Sequence, residues 1–393
     1  MEFFATILLA VGVTGLALST TLIPCAIALA VTISSLWRGA RWPVSDDASG
    51  LSLARCSVAL VIPVFNDADL LTRTLKNLQL CLSKKPKSTL GNVRVIVVAD
   101  GCSEDSVSIA RAAGVEVLAN EQNLGKWSSI KRGALEAARL PAGDHPKRAN
   151  FPDWIGFVDC GVEWQSDFIE RAAKYLTDSS VVALAPAYRH KTSTVFSRCL
   201  WKMEATFKRF ESLARGPVSV HGATVLYRTA PLLAAFDRLG NEKWLNDDVV
   251  LPMMVRCLCP SQRIVYREDL QVFDRSPRAP ERATAQRHRM MHGNLQWIRL
   301  LLPMVARADF PTFFVAMRRV ARVFWAYWVA FVLVGCTVLI LGTTGTAAPA
   351  LTVFFSTLFV SVLCRGSAAA RASLRAPLSL LTDSGAFGRV QWR

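Results

Sequence analysis

Apolar positions are distributed very unevenly along the chain. Phe3 to Leu36 is an almost unbroken apolar run, closed by Trp37, Arg38 and Arg41. It exceeds the about 7–15 residues of a signal-peptide core, and two spans of about 20 residues each do not fit in it. The pattern therefore predicts one tilted membrane helix over residues 1–37. Phe324–Leu341 and Ala350–Leu363 are apolar again, which predicts two more membrane helices over 323–365 and a basic tail over 366–393. Trp297–Phe314 is apolar but interrupted by Pro303, Arg307, Asp309 and Pro311. That segment reads as one or two helices in the membrane interface, over 297–317.

The middle of the chain alternates differently. Short apolar runs at Val58–Ile62, Val93–Val98, Val115–Leu118 and Trp154–Val158 read as buried strands. Between and after them, Leu70–Leu82, Glu104–Ala113, Ser128–Ala138 and Asp167–Leu176 carry helical spacing. Strands that are apolar throughout and alternate with helices predict an α/β domain over 57–296, with a mainly parallel, Rossmann-like sheet covered on both faces. Ligands of such sheets bind beyond the carboxyl ends of the strands.

Composition sharpens this picture. Of 393 residues, 52% are hydrophobic and 19% charged, and Lys+Arg 46 against Asp+Glu 30 gives a formal charge of +16. The basic residues collect beside the apolar segments, as in Arg318, Arg319 and Arg322 or Arg365 and Arg371, and not in a compact block of the middle domain. Nucleic acid is thereby excluded as partner, and the positive-inside rule places the middle domain in the cytosol with the N-terminus outside. The ten cysteines contain no CxxC pair, which removes a zinc knuckle and suits a reducing compartment. The five histidines have no ligand spacing, and Trp201, Trp244 and Trp297 read either as a sugar path or as packing.

Chemistry gathers at the strand ends. The first strand runs into Pro63-Val-Phe-Asn66-Asp67, the second into Asp100-Gly-Cys-Ser-Glu-Asp105, and the fourth into Asp159-Cys160-Gly161. Asn123-Leu-Gly125-Lys126 follows the third. Any one of these serves equally as a turn or helix cap. Gly125-Lys126 lacks the first glycine and the Ser/Thr of a phosphate-binding P-loop, and no strand leads into GxGxxG.

In this order the segments resemble the membrane-bound family 2 glycosyltransferases of the GT-A fold, in the cellulose, chitin and hyaluronan synthase branch. Gly222-Ala-Thr-Val-Leu-Tyr-Arg228 is similar to that family's acceptor-side glycine loop. Asn246-Asp247-Asp248 resembles the motif of its catalytic base, and Gln286-Arg-His-Arg289-Met290 its QxxRW motif. The resemblance implies an inverting enzyme of a bacterial-type inner membrane, multi-pass with its GT-A domain in the cytosol, that moves sugar from a UDP-sugar to a growing glycan. Membrane lipids and an export complex would be its partners. Single-sugar transfer to a lipid acceptor and a catalytically degenerate membrane subunit are the alternatives.

The same resemblance implies the residue roles. Asp248 would be the general base, with Asp247 beside it. Pro63, Asn66, Asp67, Asp100, Lys126, Gln286 and Arg289 would bind the nucleotide sugar, Asp100 through its nucleoside. His221, Gly222 and Ala223 would face the acceptor, and Asp159 would hold Mg²⁺ or Mn²⁺. Two departures stand out: the second carboxylate of the family's DxD is Gly161, and the tryptophan of QxxRW is Met290.

Overall fold

The computed structural model describes residues 2–38, 56–84, 90–139, 151–190, 195–274 and 280–343. The chain divides into two compact units, with boundaries at Ala30/Val31 and Pro277/Arg278. The apolar pattern had suggested 296/297 for the second boundary; helix formation from Pro280 onward puts it earlier.

The larger unit is built on an eight-stranded sheet. Its strands are β1 (Cys56–Val64), β2 (Leu90–Asp100), β3 (Glu116–Asn120), β4 (Trp154–Val158), β5 (Val162–Trp164), β6 (Val181–His190), β7 (Thr224–Arg228) and β8 (Arg263–Asp274), in the spatial order β3-β2-β1-β4-β7-β6-β8-β5. β3, β2, β1 and β4 are mutually parallel, as are β6 and β8. β7 runs antiparallel between β4 and β6, and β5 antiparallel beside β8. The sheet is thus mixed with a parallel majority.

The described helices of this unit include α3 (Ala68–Ser83), α4 (Ser106–Ala112), α5 (Lys126–Ala137), α6 (Phe168–Leu176), α7 (Val195–Leu213), α8 (Thr229–Leu239) and α9 (Asp247–Leu258). The burial pattern explains the uniform apolarity of the strands. β4 is buried at every position, and Val58, Leu60 and Ile62 of β1 pack with Leu71, Leu75 and Leu78 of α3 and with Phe168 and Leu176 of α6. Helices thus cover the sheet, and the first four strands all end on one side.

The second unit is helical. α1 (Glu2–Thr20) is long and apolar enough to cross a membrane; α2 (Leu22–Arg38) follows after a break at Thr21. The expected single helix over 1–37 is therefore two helices, and Pro24, which has no N–H for the carbonyl of Thr20, accounts for the break. α10 (Pro280–Leu300), α11 (Leu302–Ala308), α12 (Phe310–Val323) and α13 (Trp325–Thr343) complete the unit. α12 and α13 are together apolar enough for one span but bend by 64° at the junction. The span expected at Ala350–Leu363 and the tail 366–393 lie outside the described residues.

α1 and α13 meet through small residues. A Cβ on Gly12 would lie 2.7 Å from the carbonyl oxygen of Trp328, and one on Gly15 2.3 Å from the Trp328 ring. From the other side, a Cβ on Gly335 would lie 2.9 Å from the carbonyl of Ala5. Small residues at these positions let the two helix backbones approach closely.

Candidate active site

The loops at the strand ends interlock through side chain to backbone bonds. Beyond β1 the chain turns at Asn66, whose φ of 51° is left-handed. Asparagine tolerates this region better than most residues because its short polar side chain bonds locally. Here its Oδ1 accepts the Ser103 N–H at 2.9 Å and the Ser103 hydroxyl at 3.3 Å, so Asn66 ties the β1 loop to the β2 loop. The Asp67 carbonyl in turn accepts the Cys160 thiol at 3.6 Å. Pro63 is buried inside β1.

Asp100 is held by the end of β3 and the loop that follows it. Its side chain is 0% exposed at the end of β2, and its oxygens accept Asn120 Nδ2 at 2.6 Å, the Leu124 N–H at 2.9 Å and the Gly125 N–H at 2.8 Å. A buried carboxylate needs this many donors to offset its lost hydration. The consequence is positional, because the bonds end immediately before Lys126, the first residue of α5. Gly101 permits the arrangement, with a φ of 68° and no room for a Cβ, which would meet the Asn123 nitrogen at 2.4 Å.

Lys126 is the centre of the cluster. Its Nζ lies 2.8 Å from Asp159 Oδ1 and 3.2 Å from Asp247 Oδ2, with its own side chain 14% exposed. Burial by itself would lower the lysine's pKa. The carboxylates of Asp159, Asp247 and Asp248 outweigh it and hold the ammonium well above the usual lysine range. The three carboxylates thus share the field of one ammonium.

Asp159 follows β4 directly, and its N–H donates to the Ala223 carbonyl at 2.9 Å. The glycine loop thus braces the loop that carries Asp159. Asp247 and Asp248 open α9, where the N-terminal end of the helix favours negative charge. The Asp248 carbonyl accepts the Val220 N–H at 2.9 Å, which joins α9 to the same loop. Buried Lys208 of α7 donates to the Ser219 carbonyl at 2.6 Å and fixes the loop from behind. A Cβ on Gly222 would lie 3.4 Å from Asp248 Cβ and 3.7 Å from Lys126 Nζ, so the glycine keeps this face of the carboxylates uncrowded.

The structure therefore brings Lys126, Asp159, Asp247, Asp248, Gly222 and Ala223 together, and sets Asn66 and Asp67 on the neighbouring loops. Gln286 and Arg289 lie on α10 of the helical unit. Among the described residues no group of three or more His, Cys, Asp or Glu side chains is arranged to hold a metal ion. Asp159 offers one hard oxygen donor. Cys160 does not supplement it: burial, with Asp67 and Asp159 nearby, pushes its thiol far above the usual range, and a soft neutral thiol suits Mg²⁺ or Mn²⁺ poorly.

Sequence reasoning missed two features. Lys208 and Tyr188 sit in segments without a recognisable motif. Trp244, by contrast, is buried and donates to the Leu239 carbonyl, which fits packing and not a sugar path.

Residues 59–234 match the model of the family Glycosyl transferase family 2. No curated protein sequence matches the chain. Among solved structures, a mannosyltransferase from Pyrobaculum calidifontis, determined with GDP-Man and Mn²⁺, is 16% identical over 96% of this chain and 99% of its own, with a TM-score of 0.65. The shared fold thus extends over nearly the whole length of both chains. Glucosyl-3-phosphoglycerate synthase from Mycobacterium tuberculosis, determined with Mn²⁺, UDP and glucosyl-3-phosphoglycerate, is 15% identical over 60% of this chain and 78% of its own, at a TM-score of 0.40. TarS of S. aureus (residues 1–349) is 12% identical over 84% and 92%, at 0.42.

Proposed function

We propose that this chain, which carries a family 2 glycosyltransferase domain over residues 59–234, transfers a sugar from a UDP-sugar to an acceptor hydroxyl with inversion at the anomeric carbon. The observation that supports this reading most is the cluster in which Lys126 bridges Asp159 and Asp247 while Gly222 leaves Asp248 uncrowded. Asp248 takes the proton of the acceptor hydroxyl as its oxygen attacks the anomeric carbon, and the nucleoside diphosphate leaves on the opposite side. Lys126 holds its charge beside the diphosphate and orients Asp247, which keeps the paired carboxylates in register.

The carboxylates of the cluster oppose a diphosphate, and a divalent cation would offset that repulsion. Asp159 would hold Mg²⁺ or Mn²⁺ through one carboxylate, with diphosphate oxygens and water completing an oxygen shell. When bound, the ion stabilises charge developing on the leaving diphosphate. The Mn²⁺ of the Pyrobaculum enzyme is consistent with this assignment.

The apolar α1, with Arg38 at the end of the following α2, and the apolar α13, preceded by Arg318, Arg319 and Arg322 of α12, support a membrane-anchored enzyme with its catalytic unit in the cytosol. A periplasmic phosphatase reporter fused at Lys147 should be inactive, and activity there overturns the topology. The product would be a growing glycan destined for export; Met290, in place of the family's tryptophan, favours single-sugar transfer as the second reading.

The deciding experiment is nucleotide release by the purified full-length protein across UDP- and GDP-sugars, with product size measured. Release with one donor, dependent on Mg²⁺ or Mn²⁺, is expected. A long product indicates a polymerase and one added sugar a single transfer. No release with any donor overturns the reading.

A further inference from the structure

The geometry points to Asn120 as a positioning residue for Lys126, acting through Asp100 and itself held by Arg132. This inference rests on the proposed transferase activity, in which the Lys126 ammonium lies beside the donor diphosphate, and it adds the residues that set that ammonium in place.

Asn120 closes β3 and is buried. Its Nδ2 donates to Asp100 Oδ1 at 2.6 Å and, at 3.5 Å, to Ser129 Oγ. Its Oδ1 accepts Nη1 of the exposed Arg132, which also donates to the Ala119 carbonyl at 3.0 Å. These partners allow one orientation of the amide. Flipped, its oxygen would face the Asp100 carboxylate and its NH₂ group the Arg132 guanidinium.

Three donors hold Asp100, and two of them, the Leu124 and Gly125 N–H groups, belong to the loop that the carboxylate must fix. Asn120 is the third, and it stands opposite Asp100 in the β2–β3 register. It therefore anchors the carboxylate to the sheet, whereas the other two donors move with the loop. Arg132 closes the arrangement from α5, the helix that Lys126 opens. The loop is thus tied at both ends, by Asp100 immediately before Lys126 and by Arg132 at Ala119 and Asn120. Lys126 Nζ must meet Asp159 at 2.8 Å and Asp247 at 3.2 Å, on two other elements. A start of α5 free to shift with its loop would not keep both distances, nor hold a charge in place for a diphosphate.

The test is a double-mutant cycle on nucleotide affinity. The purified full-length protein and its variants are titrated by calorimetry with UDP and with GDP in the presence of Mn²⁺. Asn120→Leu should raise the Kd of the nucleotide that the wild type binds by about tenfold, the loss expected when a charge-assisted bond to phosphate is weakened. In a Lys126→Met background the same substitution should change Kd less than twofold, because the lysine that Asn120 positions is gone. Asn120→Leu also leaves Asp100 short of a donor and lowers stability. Arg132→Met, which spares every bond to Asp100, therefore repeats the cycle, with about a threefold loss expected, again only when Lys126 is present. Equal losses with and without Lys126 assign Asn120 and Arg132 a merely structural role and overturn the inference, as does unchanged affinity in both variants. A wild-type protein that binds neither nucleotide and consumes no donor fails the transferase reading instead, which is a distinguishable result.

Discussion

Lys126 Nζ and Asp159 Oδ1 are 2.8 Å apart although their residues come from different loops, and the same ammonium reaches Asp247 at 3.2 Å. The start of α5, the end of β4 and the start of α9 therefore share one charge. Each acidic residue in the cluster has a different relation to that charge, and substitutions separate them.

Asp248→Asn should lower glycosyl transfer by about 10²–10⁴-fold, because it keeps shape and removes the proton acceptor. Nucleotide binding, measured by calorimetry, should persist. Asp247→Asn removes one partner of Lys126 and should reduce the rate less. If Asp247→Asn is the inactive variant and Asp248→Asn retains its rate, the base is Asp247.

Asp100→Asn tests the buried carboxylate. An amide at 100 directs an NH₂ group toward donors already in place, which costs about 1–3 kcal/mol. Chemical denaturation should show that loss. Selectivity between uridine and guanosine nucleotides should stay the same, since Asp100 holds the Leu124–Gly125 backbone and is closed to solvent. A changed nucleoside preference with full stability contradicts this role.

Gly161→Asp restores the family's DxD in sequence but not in structure. Gly161 has a φ of 88°, and its N–H donates to Thr74 Oγ1 at 2.9 Å. A side chain there is strained by about 1–3 kcal/mol. The variant should melt at a lower temperature and bind Mn²⁺ no more tightly than the parent; tighter binding at unchanged stability refutes the argument.

The pH dependence follows from the raised pKa of Lys126. Its ordinary value is 10.5, and the folded value is higher because Asp159, Asp247 and Asp248 overcome the effect of burial. Stability gained from the charged lysine is therefore fully present below pH 10.5 and is lost only as pH rises through the folded value. The melting-temperature difference between wild type and Lys126→Met should be constant from about pH 7 to 10. A difference that rises with pH within that window shows a lysine whose folded pKa is depressed by burial, and overturns this account.

The first half of the catalytic unit was legible because its strands are apolar throughout and its helices amphipathic. Observed β1, β2, β3 and β4 overlap the runs at Val58, Val93, Val115 and Trp154, and α3, α4, α5 and α6 overlap the expected helices. Beyond Leu176 the periodicity weakens. β8 alternates buried and half-buried positions around a register break, and β5 has three residues, too few for a pattern. The acidic residues of the site were recognisable from their motifs, whereas the burial of Asp100 was not. Whether a strand-end carboxylate faces solvent or the backbone of the next loop depends on tertiary placement of residues 120–125, which no local pattern encodes.

The meeting of Gly12 and Gly15 with Trp328, and of Gly335 with Ala5, has a consequence for biosynthesis. α1 leaves the ribosome about 300 residues before α13, and chains acquire structure from the N-terminus as they emerge. During that interval the glycine face of α1 has no partner from α13, while the strands of the catalytic unit are all translated. The enzyme domain thus has time to form before the helical unit closes. A chain truncated before Trp325 should retain the α/β unit but leave the N-terminal helix exposed to quality-control proteases.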